Sequence, residues 1–120
     1  MRKSTTVKIV RLVKRRADLT LAEFKDYWLT RHAPHERRAI ETTSLQKVVA
    51  SFVLPDDHKD PEFDGVAELY FSSLEEIRTM FAGPVPAMMR EDEENFVQMD
   101  APAVRLVAEE YVIGEKGRTA

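Results

Sequence analysis

The fold is decided by the stretch Phe24-Lys25-Asp26-Tyr27-Trp28-Leu29-Thr30-Arg31-His32-Ala33-Pro34. Just before it, Thr20 is followed three residues later by Glu23, which is the spacing of a capping box at a helix N-terminus. Apolar and aromatic side chains then recur at spacings of three and four, so they share one face of the predicted helix. These side chains are Leu21, Phe24, Trp28 and His32.

Pro34 marks the point where this helix is expected to change. A proline disfavours helical backbone at the preceding residue, here Ala33, so an interruption or a kink is predicted there. The polar residues 35–41 have a composition that allows the helix to resume after the interruption.

Alternation of apolar and polar residues predicts strands elsewhere in the chain. The predicted strands cover residues 6–14, 44–54, 65–71 and 103–113. A second helix is predicted to begin after Ser72 or Ser73 and to end before Gly83-Pro84. A short acidic helix is predicted over roughly residues 86–95.

The resulting order, β-α-β-β-α-(α)-β, is the ferredoxin-like pattern: an α+β domain with a four-stranded antiparallel sheet. The helices cover one face of such a sheet. The other face keeps apolar side chains, and a second subunit's sheet is its natural cover, which predicts a homodimer that forms a dimeric α/β barrel. The alternative is a monomer with a partly polar open face.

Length and composition narrow the class of protein. The 120 residues fit a single domain, 1–120, with an ordered core of about residues 6–113. A net charge of -3 argues against nucleic acid as the main partner, and zero cysteines exclude disulfides and thiolate chemistry. The N-terminus lacks a signal-peptide pattern and no apolar run is long enough to span a membrane, so we expect no membrane partner and a cytoplasmic location.

Histidines are the first candidates for chemistry. His32 lies on the apolar face of the first helix, where it is either a hydrogen-bonded packing residue or a general acid–base group. His35 follows three residues later, but a metal site would need further ligands such as Glu36, so no metal is predicted. His58, in the loop over residues 55–61, is expected to be solvated.

Two further groups of residues have open interpretations. Glu68 and Tyr70 share a strand face with Val66. If that face lines a dimer interior, desolvation would raise the pKa of Glu68; otherwise Glu68 is a salt-bridge partner, with Arg11 on the neighbouring strand as one possibility. In the acidic helix, Asp92 and Phe96 are four residues apart and are predicted to face inward together.

These motifs resemble the EthD family, named after a protein of ethyl tert-butyl ether degradation, within the dimeric α/β barrel superfamily. The run Phe-x-x-Tyr-Trp-x-x-x-His-x-Pro, from Phe24 to Pro34, carries most of the resemblance. Supporting matches are 12–16, 19–23, 63–71, 73–75 and 92–96, so the resemblance spans nearly the whole domain in the right order.

The resemblance implies a homodimer and a pocket between helices and sheet, with His32 as the acid–base residue. It suggests a cofactor-independent enzyme of the lyase, dehydratase, decarboxylase or isomerase type, acting on a small hydrophobic or aromatic metabolite. A non-catalytic small-molecule binding or accessory protein is the alternative, and heme binding is a third, less favoured one. The predicted substrate contacts are Tyr27, Trp28, Glu68, Tyr70, Phe71 and Phe96.

Overall fold

A computed structural model describes residues 6–54, 61–101 and 104–117 of the chain. The strands are β1 Val7–Val13, β2 Lys47–Phe52, β3 Gly65–Phe71 and β4 Val104–Glu109. The helices are α1 Leu21–Tyr27, α2 Ala33–Thr42, α3 Leu74–Phe81 and α4 Val85–Glu93, with a π-helical turn over Trp28–His32 between α1 and α2. His58 and most of its predicted loop lie outside the described residues.

The four strands form one antiparallel sheet in the order β2-β3-β1-β4, which confirms the predicted ferredoxin-like α+β fold. The register places Arg11 of β1 opposite Ala67 of β3 and Arg105 of β4, on the face that the helices cover. Val10 is opposite Glu68, on the other face. Because side chains alternate along a strand, consecutive residues of β1 and of β3 point to opposite faces of the sheet.

Three strands are shorter than predicted because each strand ends where its partner ends. β1 is Val7–Val13 rather than 6–14, and β2 is Lys47–Phe52 rather than 44–54. β4 ends at Glu109, beside the first residue of β1, instead of continuing to 113. Single backbone hydrogen bonds extend one residue past these ends, from Val53 to the carbonyl of Asp64 (3.0 Å) and from Glu110 to the carbonyl of Thr6 (3.1 Å).

The first helix begins as predicted and passes Pro34 without stopping. The capping box is complete: the Glu23 backbone donates to Thr20 Oγ1 (3.1 Å), and the Thr20 backbone donates to Glu23 Oε1 (2.8 Å). Ala33 keeps helical backbone angles, and its N–H donates to the carbonyl of Trp28, five residues back. The π-helical turn thus adapts the helix to Pro34, which then lies in the first turn of α2, where its missing donor costs little.

Two groups of buried side chains fill the space between helices and sheet. The methionine cluster consists of Ile9, Ala39, Leu45, Phe71, Ile77, Met80 and Met89. The aromatic cluster consists of Val13, Phe24, Trp28, Ala67, Phe96 and Val97. The aromatic cluster packs closely onto β3 at Gly65, where an added Cβ would lie 3.0 Å from the Trp28 ring. Gly65 thereby lets the helix approach the sheet and fixes the position of Trp28.

Among the described residues, no helix combines the length and the apolar character required to cross a lipid bilayer.

Candidate active site

His32, at the end of the π-helical turn, and Asp92, near the end of α4, form a hydrogen-bonded pair whose imidazole is buried. His32 ends the π-helical turn and is only 2% exposed, and its Nδ1 lies 2.8 Å from Asp92 Oδ2. Tyr27 donates its hydroxyl to Asp92 Oδ1 (2.8 Å), and the Asn95 amide donates to the same oxygen (3.2 Å). The predicted inward orientation of Asp92 and Phe96 is confirmed, since Phe96 is fully buried beside the imidazole.

These contacts determine which nitrogen of His32 carries the proton. Burial acts to raise the pKa of Asp92, but the bonds from His32, Tyr27 and Asn95 outweigh it and lower that pKa. An ionised carboxylate only accepts hydrogen bonds, so Nδ1 of His32 must be the donor. In the neutral imidazole, Nε2 is then left with a free lone pair.

Glu36 lies on the other side of the same imidazole. It is one helical turn beyond His32, with its Oε2 3.9 Å from His32 Nε2. The indole N–H of Trp28 donates to Glu36 Oε1 (3.0 Å). Burial raises the pKa of Glu36, and the nearby His32 and the Trp28 bond oppose that rise only in part. Two carboxyl groups with pKa values moved in opposite directions therefore flank one histidine, an arrangement typical of acid–base sites.

A cavity of about 320 Å³ opens beside this group and lies between the two buried clusters. Trp28, His32, Glu36 and Phe96 line it from the helical layer, and apolar residues of β1 and β3 line its floor. Its size and apolar lining suit a small molecule with a hydrophobic body.

Three arginine side chains and Glu93 form the remaining polar part of the cavity wall. Arg11 makes a two-pronged ion pair with Glu93 of α4, at 2.9 and 2.8 Å. The interpretation that Arg11 pairs with Glu68 is therefore wrong: Glu68 lies on the opposite face and binds Lys8 instead (2.6 Å). The two residues sit at neighbouring rather than opposing positions of the register, so their side chains leave the sheet on different sides.

The structure brings together only part of the predicted site. Trp28, His32 and Phe96 line the cavity. Tyr27 lies behind it, stacked on Phe96 with ring centroids 5.0 Å apart. Phe71 is buried in the methionine cluster and is not among the residues that line the cavity.

Glu68 and Tyr70 lie on the sheet face away from the cavity. Both belong to a polar group there, in which Lys8 binds Glu68 and Tyr70 donates its hydroxyl to Glu110 (2.9 Å). The strand pattern correctly put the two side chains on one face of β3. It did not determine which face the helices cover, because both faces contain apolar residues.

Two residues of the site have a larger place in the structure than the sequence predicts. Glu36 is predicted only as a possible metal ligand, although its spacing of four from His32 and eight from Trp28 places it on their helical face. Asp92 was expected to face inward, but its partner His32 is 60 residues away. Within the described part of the chain, no three histidine, aspartate or glutamate side chains are arranged to hold a metal ion.

Comparison with known proteins defines the class. The EthD domain model matches residues 16–100. An EthD family protein from Bacillus halodurans is 17% identical, with a TM-score of 0.68 over 88% of this chain and 99% of that one. A dimeric protein of unknown function with a ferredoxin-like fold, from Bacteroides fragilis, is 11% identical with a TM-score of 0.64, over 88% and 97%.

The hydroxynitrile lyase of Passiflora edulis has the same fold, with 11% identity and a TM-score of 0.67 over 91% of this chain and 96% of that one. No curated protein matches the sequence significantly. The strand order defines a ferredoxin-like α+β domain, and structural neighbours with this fold include dimeric proteins. Within that class, the chain belongs to the EthD family.

Proposed function

We propose that this protein is an acid–base enzyme that needs no cofactor and acts on a small hydrophobic or aromatic metabolite, with His32 as its general base. The observation that carries this proposal is the hydrogen bond from His32 to Asp92: the buried imidazole lines the cavity, and the bond leaves Nε2 as its free nitrogen. A histidine held in one tautomer by a carboxylate is suited to accept a proton from a bound molecule.

The neighbouring groups have complementary roles in this mechanism. His32 Nε2 takes a proton from a C–H or O–H group of the substrate, and ionised Asp92 stabilises the imidazolium that forms. Glu36, whose Oε2 lies 3.9 Å from His32 Nε2, passes the proton from His32 on to the product; burial raises its pKa toward the working range of a general acid. Trp28 and Phe96 hold the apolar body of the substrate.

The reaction type that fits is a lyase or an isomerase, because both need only proton transfer at a positioned substrate. The similarity to a hydroxynitrile lyase supports this class. Two small molecules serve as test substrates. Mandelonitrile releases cyanide after deprotonation of its hydroxyl group. The second, 5-nitrobenzisoxazole, opens its ring after deprotonation of a C–H bond.

The direct test compares His32→Ala with wild type on both test substrates. We expect turnover above the buffer rate in the wild type and a loss of at least about a hundredfold in His32→Ala, which is typical of removing a general base. Arg38→Ala is the control, because Arg38 is an exposed residue of α2 that does not line the cavity; its activity should stay within about twofold of wild type. Equal turnover by His32→Ala and wild type would refute the assignment.

We also propose that the chain works as a homodimer through the sheet face that the helices leave open. Val10, Leu12, Val49 and Leu106 lie on that face and are partly or fully exposed in the single chain. The dimeric ferredoxin-like neighbour supports this arrangement. Burying these side chains against a second copy would remove them from water.

The matched variants for this interface are Leu106→Asp and Leu74→Asp. The two leucines are similarly exposed, 49% and 51%, but Leu74 lies on α3 rather than on the open sheet face. Light scattering should give twice the chain mass for wild type and Leu74→Asp, and a monomer for Leu106→Asp. A dimeric Leu106→Asp, or a monomeric wild type, would contradict the proposed interface.

A further inference from the structure

The cavity wall contains more positive than negative charge, although the whole chain has a net charge of -3. Arg11, Arg90 and Arg105 line the cavity, against the carboxyl groups of Glu93 and Glu36. Glu93 is committed to Arg11 through both of its oxygens. Glu36, on the other side of the wall, is bound by Trp28.

Arg105 is the unusual member of this set. It lies directly opposite Arg11 in the antiparallel pair of β1 and β4, and like charges at opposing positions weaken a sheet. Glu93 compensates Arg11, but within the described residues Arg105 forms no ion pair and no hydrogen bond from its guanidinium. Its guanidinium lies 5.6 Å from the centre of the Phe81 ring, a cation–π contact that orients the group without neutralising it.

The burial of the lining residues indicates where this charge is located. Phe81, Arg90 and Arg105 are exposed and therefore lie at the open side of the cavity. His32 and Trp28 are buried and lie at its inner side. A molecule that enters thus meets two arginines first and the acid–base group last.

We infer that the substrate carries an anionic group, a carboxylate in the simplest case, which Arg105 binds with help from Arg90 while the apolar body occupies the inner cavity. This inference rests on the proposed function, because it names the substrate class for the same site. Arginine is suited to the role, since its planar N–H donors match the two oxygens of a carboxylate. The anionic group also explains why the sheet tolerates two opposing arginines at this position.

The test uses two ligands of nearly the same shape, 4-isopropylbenzoate and 4-isopropylbenzamide, at neutral pH. The only tryptophan of the chain, Trp28, lines the cavity, so its fluorescence reports occupancy, and calorimetry gives the dissociation constants. We expect the carboxylate to bind wild type at least about tenfold more tightly than the amide, with a ratio that falls as salt is raised.

Arg105→Met and Arg78→Met are the matched variants. Both remove one positive charge, but Arg78 is an exposed residue of α3 that does not line the cavity. Arg105→Met should lose most of the preference for the carboxylate and bind the amide as wild type does, which also shows that its cavity is intact. Arg78→Met should keep the preference. Arg105→Lys, which retains the charge but not the planar donors, should keep part of it.

The possible outcomes separate this inference from the proposed function. Equal binding of carboxylate and amide by wild type, or an undiminished preference in Arg105→Met, overturns the anionic subsite and leaves the small-molecule cavity in place. If wild type binds neither compound, both the proposed cavity function and the subsite fail. If Arg105→Met does not fold, the wild-type ratio, its salt dependence and Arg105→Lys decide the question.

Discussion

On each face of the sheet, a tyrosine donates its hydroxyl to a carboxylate near a basic side chain. On the helix-covered face, Tyr27 and His32 both donate to Asp92, each at 2.8 Å. On the open face, Tyr70 donates to Glu110 at 2.9 Å, and Lys8 contacts Glu68 and Glu110 at 2.6 and 3.3 Å. The two groups use similar chemistry, but they differ in their basic residue and in their surroundings.

That difference separates the group to which we assign proton transfer from one that holds a fixed charge. The hydrogen bond from Lys8 to Glu68 raises the pKa of the lysine further above its ordinary value, so this ammonium group stays charged. On the other face the basic residue is an imidazole, the side-chain type that ordinarily exchanges protons near neutral pH, and it lines a cavity. The proposed difference in function therefore rests on the type of base and on the adjoining cavity, more than on the hydrogen-bond pattern.

We expect the largest effect from a variant that disrupts the group of Tyr27, His32 and Asp92 on the helix-covered face. In Asp92→Asn the amide no longer requires a proton on Nδ1 of His32, so the imidazole can take the other tautomer and lose its free Nε2. We expect turnover of the test substrates to fall roughly a hundredfold. The parallel change on the open face, Glu68→Gln, should alter turnover by less than about twofold, since Glu68 is remote from the cavity. An equal loss in both variants would contradict the division between the faces.

The same aspartate should make stability depend on pH. Its folded-state pKa is lowered, so its contribution is present above the ordinary carboxyl pKa and is lost as pH falls through the lowered value. At neutral pH we expect the free energy of unfolding of Asp92→Asn to be about 2 kcal/mol lower than that of wild type, because the variant loses hydrogen bonds to a charged group. Urea denaturation should show that gap narrowing in acid; a gap that stays constant down to the lowest pH would argue against an ionised Asp92.

Two tyrosine variants, one on each face of the sheet, separate an effect on stability from an effect on turnover. Tyr27→Phe and Tyr70→Phe each remove one hydroxyl that donates to a carboxylate, and each should cost about 1 kcal/mol of stability. Only Tyr27→Phe should also slow turnover, by roughly threefold to tenfold, because only Tyr27 supports the ionised Asp92 beside His32. Unfolding and steady-state rates measured on both variants check this, and a slower Tyr70→Phe would indicate that the faces are coupled.

The smallest expected effect has the opposite sign. Burial raises the folded-state pKa of Glu36, so the folded protein tolerates the neutral carboxyl group better than the ionised one. The free energy of unfolding therefore falls as pH rises through the raised pKa. Glu36→Gln keeps an acceptor for the Trp28 indole and removes the ionisable group. It should therefore be about 0.5 kcal/mol more stable than wild type near neutral pH and equal to it in acid. Thermal unfolding at several pH values tests this, and a variant less stable at neutral pH would show that Glu36 is a stabilising anion.

The fold was predictable because its signals are local. The capping box at Thr20 and the alternation along β1 and β3 each depend on residues close together in the chain. The sequence leaves the face of Glu68 and Tyr70 open, because apolar residues occur on both sheet faces and do not reveal which face the helices cover.

The site was predictable only where it follows one helical face. Trp28 and His32 repeat at spacings that a sequence reveals, and Glu36 extends that face by one more turn. Asp92 is different, because its contact with His32 depends on how α4 packs against the π-helical turn. The exposed Arg105 likewise joins the cavity only through the pairing of β4 with β1.

Asp92 holds His32 with its proton on Nδ1 and its lone pair on Nε2. Nitrogen-15 NMR of the imidazole rings measures this tautomer directly, and with three histidines in the chain, His32→Ala and His35→Ala assign the signals. At a pH where the ring is neutral, we predict a protonated Nδ1 and an unprotonated Nε2 for His32, and loss of that preference in Asp92→Asn. A neutral His32 protonated on Nε2 would contradict the account.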